Sequence, residues 1–108
     1  MHKVLAYSNI LETIPVSLFS LKNLAELDLS NNVLCSIPDA LGSELTNLTH
    51  LVLRNNVLTD TDFPKDMSGL AKSLKYLNLS GNNLTSIPPP LLQLTGNYMG
   101  HILHLQFQ

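Results

Sequence analysis

The sequence predicts an α/β solenoid, in which short parallel strands form one sheet and each strand returns through a short irregular or 3-10 segment. The first observation is a frame of the form LxxLxLxxNxL, which occupies residues 24–34, 48–58 and 74–84. The second is its regular recurrence, because a period of roughly 20–50 residues is typical of stacked repeats. The third is an apolar residue followed by proline after each frame, as at Ile37 and Pro38.

The LxL part of each frame predicts a strand with one buried face. Residues two apart in an extended strand point to the same side, so Leu27 and Leu29 are expected to face a shared apolar interior. Burial of one leucine stabilises a fold by about 1.5–3 kcal/mol. The proline that follows fixes φ and lacks a donor, which favours an irregular return segment over a long helix.

The beginning of the chain carries a degenerate copy of the frame. Met1, Val4 and Ala6 take the inward positions, and the small Ala6 side chain predicts a loosely packed first strand. Leu18 and Leu21 are three residues apart, so they are expected to re-enter the core through a short helical turn.

An asparagine closes each frame at the point where the chain turns off the strand. There the backbone groups lose their ladder partners, and a side-chain amide offers both donors and an acceptor. Buried polar groups without partners are costly. We therefore expect a stacked structural ladder of four amides: Asn9, Asn32, Asn56 and Asn82.

The frame resembles the leucine-rich repeat family. The unit xxIPxxLxxLxNL is similar to the intracellular, 23-residue type found in Ras-binding and polarity scaffolds such as erbin and scribble. The stretch NNVLTDTDFPKDMSGLAKSLKYLNLSGNNL is also similar to the N-terminal repeats of the leucine-rich repeat-containing protein 58 group. The resemblance implies a right-handed coil with a curved parallel sheet on its concave face and short irregular or 3-10 segments on its convex face.

The 108 residues are expected to form a single leucine-rich repeat domain. Its repeats are predicted at about residues 1–23, 24–47, 48–73 and 74–101, with a partial or aberrant repeat at 102–108. The last segment has two interpretations, a short fifth strand from Ile102 to Phe107 or an aberrant tail. In the first, His104 aligns with Tyr76 and Leu105 with Leu77.

Composition excludes several classes of ligand. The net charge is −2 and no block of five like charges occurs, which argues against nucleic acid and against an anionic membrane surface. No apolar run approaches the roughly 20 residues that span a bilayer, so membrane insertion is not expected. The N-terminus shows no secretory signal pattern.

Cysteine use points to a reducing compartment. The chain has one cysteine, Cys35, which cannot form the disulfide caps of extracellular leucine-rich repeat proteins. Its thiol is expected to pack as a small hydrophobe. Three N-x-S/T sequons begin at Asn47, Asn78 and Asn83, but the repeat itself places these residue types side by side. The sequence therefore predicts a cytoplasmic protein.

The outward strand positions form the expected binding face. They alternate with the buried leucines and stand about 4.8 Å apart up the sheet, so they form a rigid, open surface better suited to a protein than to a small molecule. The candidate partner-binding residues are Glu26, Asp28, His50, Val52, Arg54, Tyr76 and Asn78.

Catalytic, metal and cofactor sites are not expected. His101 and His104 have a metal-like spacing, but residues three apart on a strand face opposite sides. No nucleophile lies in register with a base, and no glycine-rich phosphate loop occurs. The acidic TDTDFPKD loop lacks the spacing of a calcium loop.

The sequence thus favours an intracellular protein–protein interaction module, a scaffold or adaptor without enzymatic activity, whose partner is a protein. Two alternatives stay open at this point. One is a fragment of an extracellular receptor ectodomain. The other is an uncapped, truncated product without independent function, because repeat proteins need protected ends.

Overall fold

A computed structural model describes residues 3–6, 10–94 and 103–104. In this part of the chain, five parallel strands form one sheet in sequence order. Each consecutive pair is joined by a crossover, so the sheet is the stacked edge of successive coils. The strands are β1 (Lys3–Leu5), β2 (Glu26–Asp28), β3 (His50–Val52), β4 (Tyr76–Asn78) and β5 (Leu103–His104).

The strand leucines form the interior of the solenoid. Leu27 pairs with Leu51 and Leu51 with Leu77 across the sheet, and each of the three is at most 1% exposed. Hydrogen bonds continue beyond the short strands, because the Leu29 amide donates to the Val52 carbonyl at 2.8 Å. The LxL leucines therefore face one continuous core, as the alternation predicts.

The return segments follow the spacing of their core residues. A spacing of three matches the 3.0 residues per turn of a 3-10 helix, whereas a spacing of four matches the α-helix. Leu91 and Leu94 are three apart, and their segment, Pro89–Leu94, is a 3-10 helix. Leu41 and Leu45 are four apart, and Asp39–Glu44 forms a short α-helix, α1. This segment therefore differs from the expected 3-10 or irregular conformation. The other two return segments, Val16–Ser20 and Ser68–Leu70, are 3-10 helices.

Two glycines allow the second and third return segments to meet backbone to backbone. A Cβ at Gly42 would overlap the carbonyl oxygen of Asp66, and one at Gly69 would overlap the carbonyl oxygen of Gly42. Only glycine fits such an approach. The back of the solenoid is therefore closely packed between α1 and the Ser68–Leu70 helix.

The first and last described repeats bury less than the frame predicts. Leu18 and Leu21 are half-buried, and Phe19 occupies the core between them at 7% exposure. These side chains belong to the first coil, which has a neighbour on one side only among the described residues. Ile87 is 40% exposed, because no described return segment follows its own. Val4 and Ala6 are likewise half-buried.

The register of β5 differs from the expected one. Leu103 pairs with Leu77 and His104 with Asn78, so the predicted alignment of His104 with Tyr76 and of Leu105 with Leu77 is wrong by two residues. A slip of two keeps the same face of a strand inward, so the apolar alternation of ILHLQF allows both registers. Residues 102 and 105–108 lie outside the described residues. The right-handed coil and the concave position of the sheet stay predictions.

Candidate functional site

Three asparagine amides connect the strand ends of neighbouring coils. Asn56 accepts from the Leu34 amide at 2.9 Å and donates to the Leu53 carbonyl at 3.0 Å and to the Leu29 carbonyl at 3.1 Å. Asn82 repeats these contacts one coil later: it accepts from the Leu58 amide at 3.1 Å and donates to the Leu79 and Leu53 carbonyls, each at 2.9 Å. Both amides are at most 5% exposed. Each amide thus joins its own coil to the preceding one.

Asn32 makes the same kind of corner in the second repeat, but the equivalent asparagine of the first repeat lies outside the described residues. Asn32 is 6% exposed and accepts from the half-buried Leu11 amide at 3.2 Å. Asn9, the first member of the predicted ladder, lies outside the described residues.

A second column of turn residues, which the sequence analysis did not single out, precedes the buried amides. Asn31 and Asn55 have φ values of 59° and 58°, and Gly81 has 73°. Asparagine and glycine tolerate this left-handed region better than other residues. The Asn55 amide also donates to the Asn31 side-chain oxygen at 2.8 Å. The signal was present in the dipeptides NN, NN and GN that end the frames.

The outward side chains of the strands lie in two register columns. Glu26 pairs with His50 and His50 with Tyr76. The second column runs through Asp28, Val52 and Asn78. Arg54 lies two residues beyond Val52 and is exposed, and its carbonyl continues the ladder by accepting from Asn31 at 2.9 Å. We refer to these outward residues, with Lys3 and Leu5 of β1, as the sheet face.

Aromatic rings of β3 and β4 are held against each other on the sheet face. The His50 and Tyr76 centroids are 5.8 Å apart with the planes at 28°, within the range of stabilising ring pairs. The Asn78 amide donates to the Tyr76 hydroxyl oxygen at 3.1 Å. His50 Nδ1 lies 2.9 Å from the Thr49 hydroxyl. Both rings are therefore oriented by polar contacts as well as by packing.

Side-chain oxygens at the ends of β2 and β4 make the same local hydrogen bond. The Ser30 amide donates to Asp28 Oδ1 at 3.0 Å, and the Ser80 amide donates to Asn78 Oδ1 at 3.0 Å. Such Asx turns stabilise the chain reversal locally. Val52 occupies the corresponding position of β3 and has no side-chain acceptor.

A shallow hollow of about 170 Å³ lies on the sheet face. Its polar or aromatic lining comes from Lys3, Glu26, Asp28, His50 and Tyr76, while Leu5 and Val52 supply apolar surface. Leu27 also lines it, between Glu26 and Asp28 on β2, but its side chain is buried in the core. Of the seven candidate partner-binding residues, five line this hollow. Arg54 and Asn78 do not line it.

The acidic loop of the third repeat uses its carboxylates within the chain. Asp60 accepts from the backbone amide and the hydroxyl of Thr85 and from those of Ser86. The Thr85 hydroxyl and amide are the main cause of the lowered pKa of Asp60. Bonds from the Ser68 hydroxyl and amide likewise lower the pKa of Asp66.

The Asp62 carboxylate also makes a local hydrogen bond, because it accepts from the Thr59 amide at 2.7 Å. Within the described residues no group of three or more His, Cys, Asp or Glu side chains could hold a metal ion. The histidine pair with a metal-like spacing is not placed, because His101 and the side chain of His104 lie outside the described part.

Cys35 is exposed and free, so the expectation that its thiol packs as a small hydrophobe is wrong. The reason is the alternation at the strand exit, where Leu34 points inward and is fully buried. The Cys35 thiol lies instead beside the preceding coil and donates to the Glu12 carbonyl at 3.8 Å.

Comparison with known families decides the relationship. The family model described as Leucine rich repeat matches residues 4–58, about half of the chain, and a second model, also Leucine Rich Repeat, matches residues 73–95. This chain belongs to the leucine-rich repeat family. The family is in general a non-enzymatic protein-interaction fold.

Several curated proteins share these repeats. Podocan from Mus musculus is 46% identical over 68 residues, which cover 63% of this chain and 11% of podocan. Leucine-rich repeat-containing protein 58 from Xenopus tropicalis is 37% identical over 94 residues, covering 87% of this chain and 26% of that protein. Keratocan from Mus musculus is 39% identical over 83 residues, covering 77% and 23%. The chain thus spans about a quarter or less of the length of these relatives.

The resemblance to leucine-rich repeat-containing protein 58 is therefore a homology that extends beyond the loop and strand that first indicated it. Among the described residues, no helix of this leucine-rich repeat protein is long and apolar enough to cross a membrane.

Proposed function

We propose that the chain binds a protein partner through the sheet face, with Glu26, Asp28, His50, Val52, Arg54, Tyr76 and Asn78 as the contact residues. The main support is the in-register stacking of outward side chains on strands whose opposite sides are fixed in the core. Side chains held in this way lose little conformational entropy on binding. Tyrosine and arginine are also the residue types that dominate binding energy at protein interfaces.

The test separates binding from folding. The double variant Tyr76→Ala with Arg54→Ala removes two outward side chains while leaving the buried leucines unchanged. We expect it to retain cooperative unfolding and to recover specific partners less well in quantitative affinity capture. Lys72→Ala is a matched control, because it removes an exposed charge after the Ser68–Leu70 helix. Recovery of the same partners at the same strength by the double variant would remove the sheet face from the proposal.

We further propose a cytoplasmic scaffold or adaptor of the intracellular, 23-residue repeat type, with a single domain divided at about residues 23, 47, 73 and 101. The single exposed thiol of Cys35 supports a reducing compartment. The alternative, an extracellular ectodomain, has its own support in the sequon at Asn83, whose side chain is exposed. Glycan on Asn83 in cells would favour the extracellular alternative, and an unmodified Asn83 with a reduced Cys35 would favour the cytoplasmic one.

A further inference from the structure

The hollow on the sheet face has the size of one side chain. Pockets for drug-sized ligands measure about 300–1,000 Å³, whereas this hollow measures about 170 Å³. It is also open to the surrounding strand face, so a larger partner can lie across it. A single side chain projecting from a bound partner is therefore the occupant that its size admits.

The carboxylates in the hollow exceed the local positive charge. Glu26 and Asp28 line it together with one cation, Lys3. The ion pair of the described residues is Lys22 with Glu44, at 2.8 Å, and it lies away from the sheet face. Among the described residues, no cationic nitrogen therefore lies within 4.0 Å of the Glu26 or Asp28 carboxylate. Asp28 uses one oxygen for the Ser30 amide. The hollow thus offers negative charge and carboxylate lone pairs to an incoming group.

His50 presents a further acceptor. The Thr49 hydroxyl lies 2.9 Å from the Ala25 carbonyl and 2.9 Å from His50 Nδ1. A carbonyl can only accept a hydrogen bond, so Thr49 donates its single hydroxyl proton to the Ala25 carbonyl. His50 Nδ1 must then carry the proton that it donates to Thr49. In the neutral ring this leaves Nε2 as an acceptor.

Tyr76 adds an electron-rich ring to these acceptors. Its position is fixed by stacking on His50 and by the hydrogen bond from Asn78. Ring faces of tyrosine attract cations through the ring quadrupole. Carboxylates, an imidazole acceptor and an aromatic ring are all complementary to one chemical group, a cation with several N–H donors.

We propose that the hollow formed by Glu26, Asp28, His50 and Tyr76 binds a lysine or arginine side chain of the protein partner. This inference rests on the proposed function and adds the chemistry by which the partner is selected. The ammonium or guanidinium group enters between the carboxylates and the ring pair, and its aliphatic stem covers Leu5 and Val52. A neutral or acidic side chain at the same place leaves Glu26 and Asp28 without a counterion.

The probe for the test is a phage-displayed library of random dodecapeptides selected on the full chain. We expect the enriched peptides to share a lysine or arginine at one position. Replacing it by norleucine or citrulline, which keep the stem, should weaken binding about tenfold or more. The variant Glu26→Gln with Asp28→Asn should lose a similar factor and should no longer distinguish the basic peptide from its neutral analogue.

Two features make these variants interpretable. Asparagine at position 28 retains the bond to Ser30, because Asn78 makes the same bond to Ser80 in β4. Glu12→Gln is the matched control, since it removes an exposed carboxylate outside the hollow, and it should leave peptide binding unchanged. Thermal unfolding of all variants checks that the fold is retained.

The outcomes separate this inference from the proposed function. If the enriched peptides lose affinity on Tyr76→Ala but contain no shared basic residue, the lysine or arginine pocket is refuted and the sheet face stands. The same holds if they contain one but tolerate Glu26→Gln with Asp28→Asn. Peptides that bind independently of Tyr76 and Arg54, or the absence of any enriched peptide, count against both.

Discussion

Replacing Asn56 with alanine should remove a large part of the stability of this solenoid. The change leaves the buried Leu34 amide without its acceptor. The Leu53 carbonyl keeps a bond from Asn82 and the Leu29 carbonyl keeps one from Asn32. One orphaned donor costs about 1–3 kcal/mol, and each lost hydrogen bond costs about 0.5–1.5 kcal/mol net. We therefore expect a loss of about 2–6 kcal/mol, against the 5–15 kcal/mol typical of a native domain.

Urea denaturation followed by circular dichroism measures this loss from the midpoint and slope of the transition. Asn55→Gly is the matched control at the neighbouring position, because Asn55 is exposed and has a φ of 58° that glycine accepts. Its loss should stay within about 1 kcal/mol. Asn32→Ala should fall between the two, because the Leu11 amide that donates to Asn32 is half-buried and water can replace the lost acceptor. A loss for Asn56→Ala no larger than that of the control would refute the hydrogen-bond argument.

Three further changes test other contacts. Leu77→Ala removes a core side chain that is 1% exposed and should cost about 2–5 kcal/mol in chemical denaturation; a loss under about 1 kcal/mol would contradict the assigned core face. Gly42→Ala should lower the melting temperature despite the better helix propensity of alanine, because overlap with Asp66 costs about 1–3 kcal/mol, whereas Ser43→Ala on the exposed side of α1 should not. The lowered pKa of Asp60 means that its bonds stabilise the fold above its ordinary pKa of 3.8 and are lost as the pH falls through the lowered value. Asp60→Asn should therefore flatten the acid limb of stability measured against pH.

The repeated frame predicted the core because a period-two pattern states directly which side of a strand is apolar. Leu27, Leu51 and Leu77 are buried for this reason. The frame does not describe the return segments, where neither the strand period of two nor a helical period continues for long. Phe19 and Met67 are buried there at 7% and 1% exposure, and the regular leucine spacing gave no reason to select them.

The repeated frame predicts only part of the arrangement of the sheet face. Register equivalence along the frame predicts which outward residues share a column, such as His50 with Tyr76. It does not predict contacts between side chains, because these depend on rotamers. The bond from Asn78 to Tyr76 and the contact of His50 Nδ1 with the Thr49 hydroxyl needed coordinates. In β5 even the register was open, since a shift of two residues preserves the inward face of a strand.

The strand-end position of the sheet face separates the requirements of folding from those of binding. Three coils place different residues there: Asp28, Val52 and Asn78. Because the coil with Val52 forms the same strand and the same backbone ladder, the fold does not require an acceptor at this position. Because Asn78 makes the local bond as well as Asp28 does, the fold does not require a charge either. The negative charge of Asp28 therefore contributes nothing that the fold needs, and its effect is on the potential of the hollow that it lines. This is why Asp28→Asn can test recognition without testing folding.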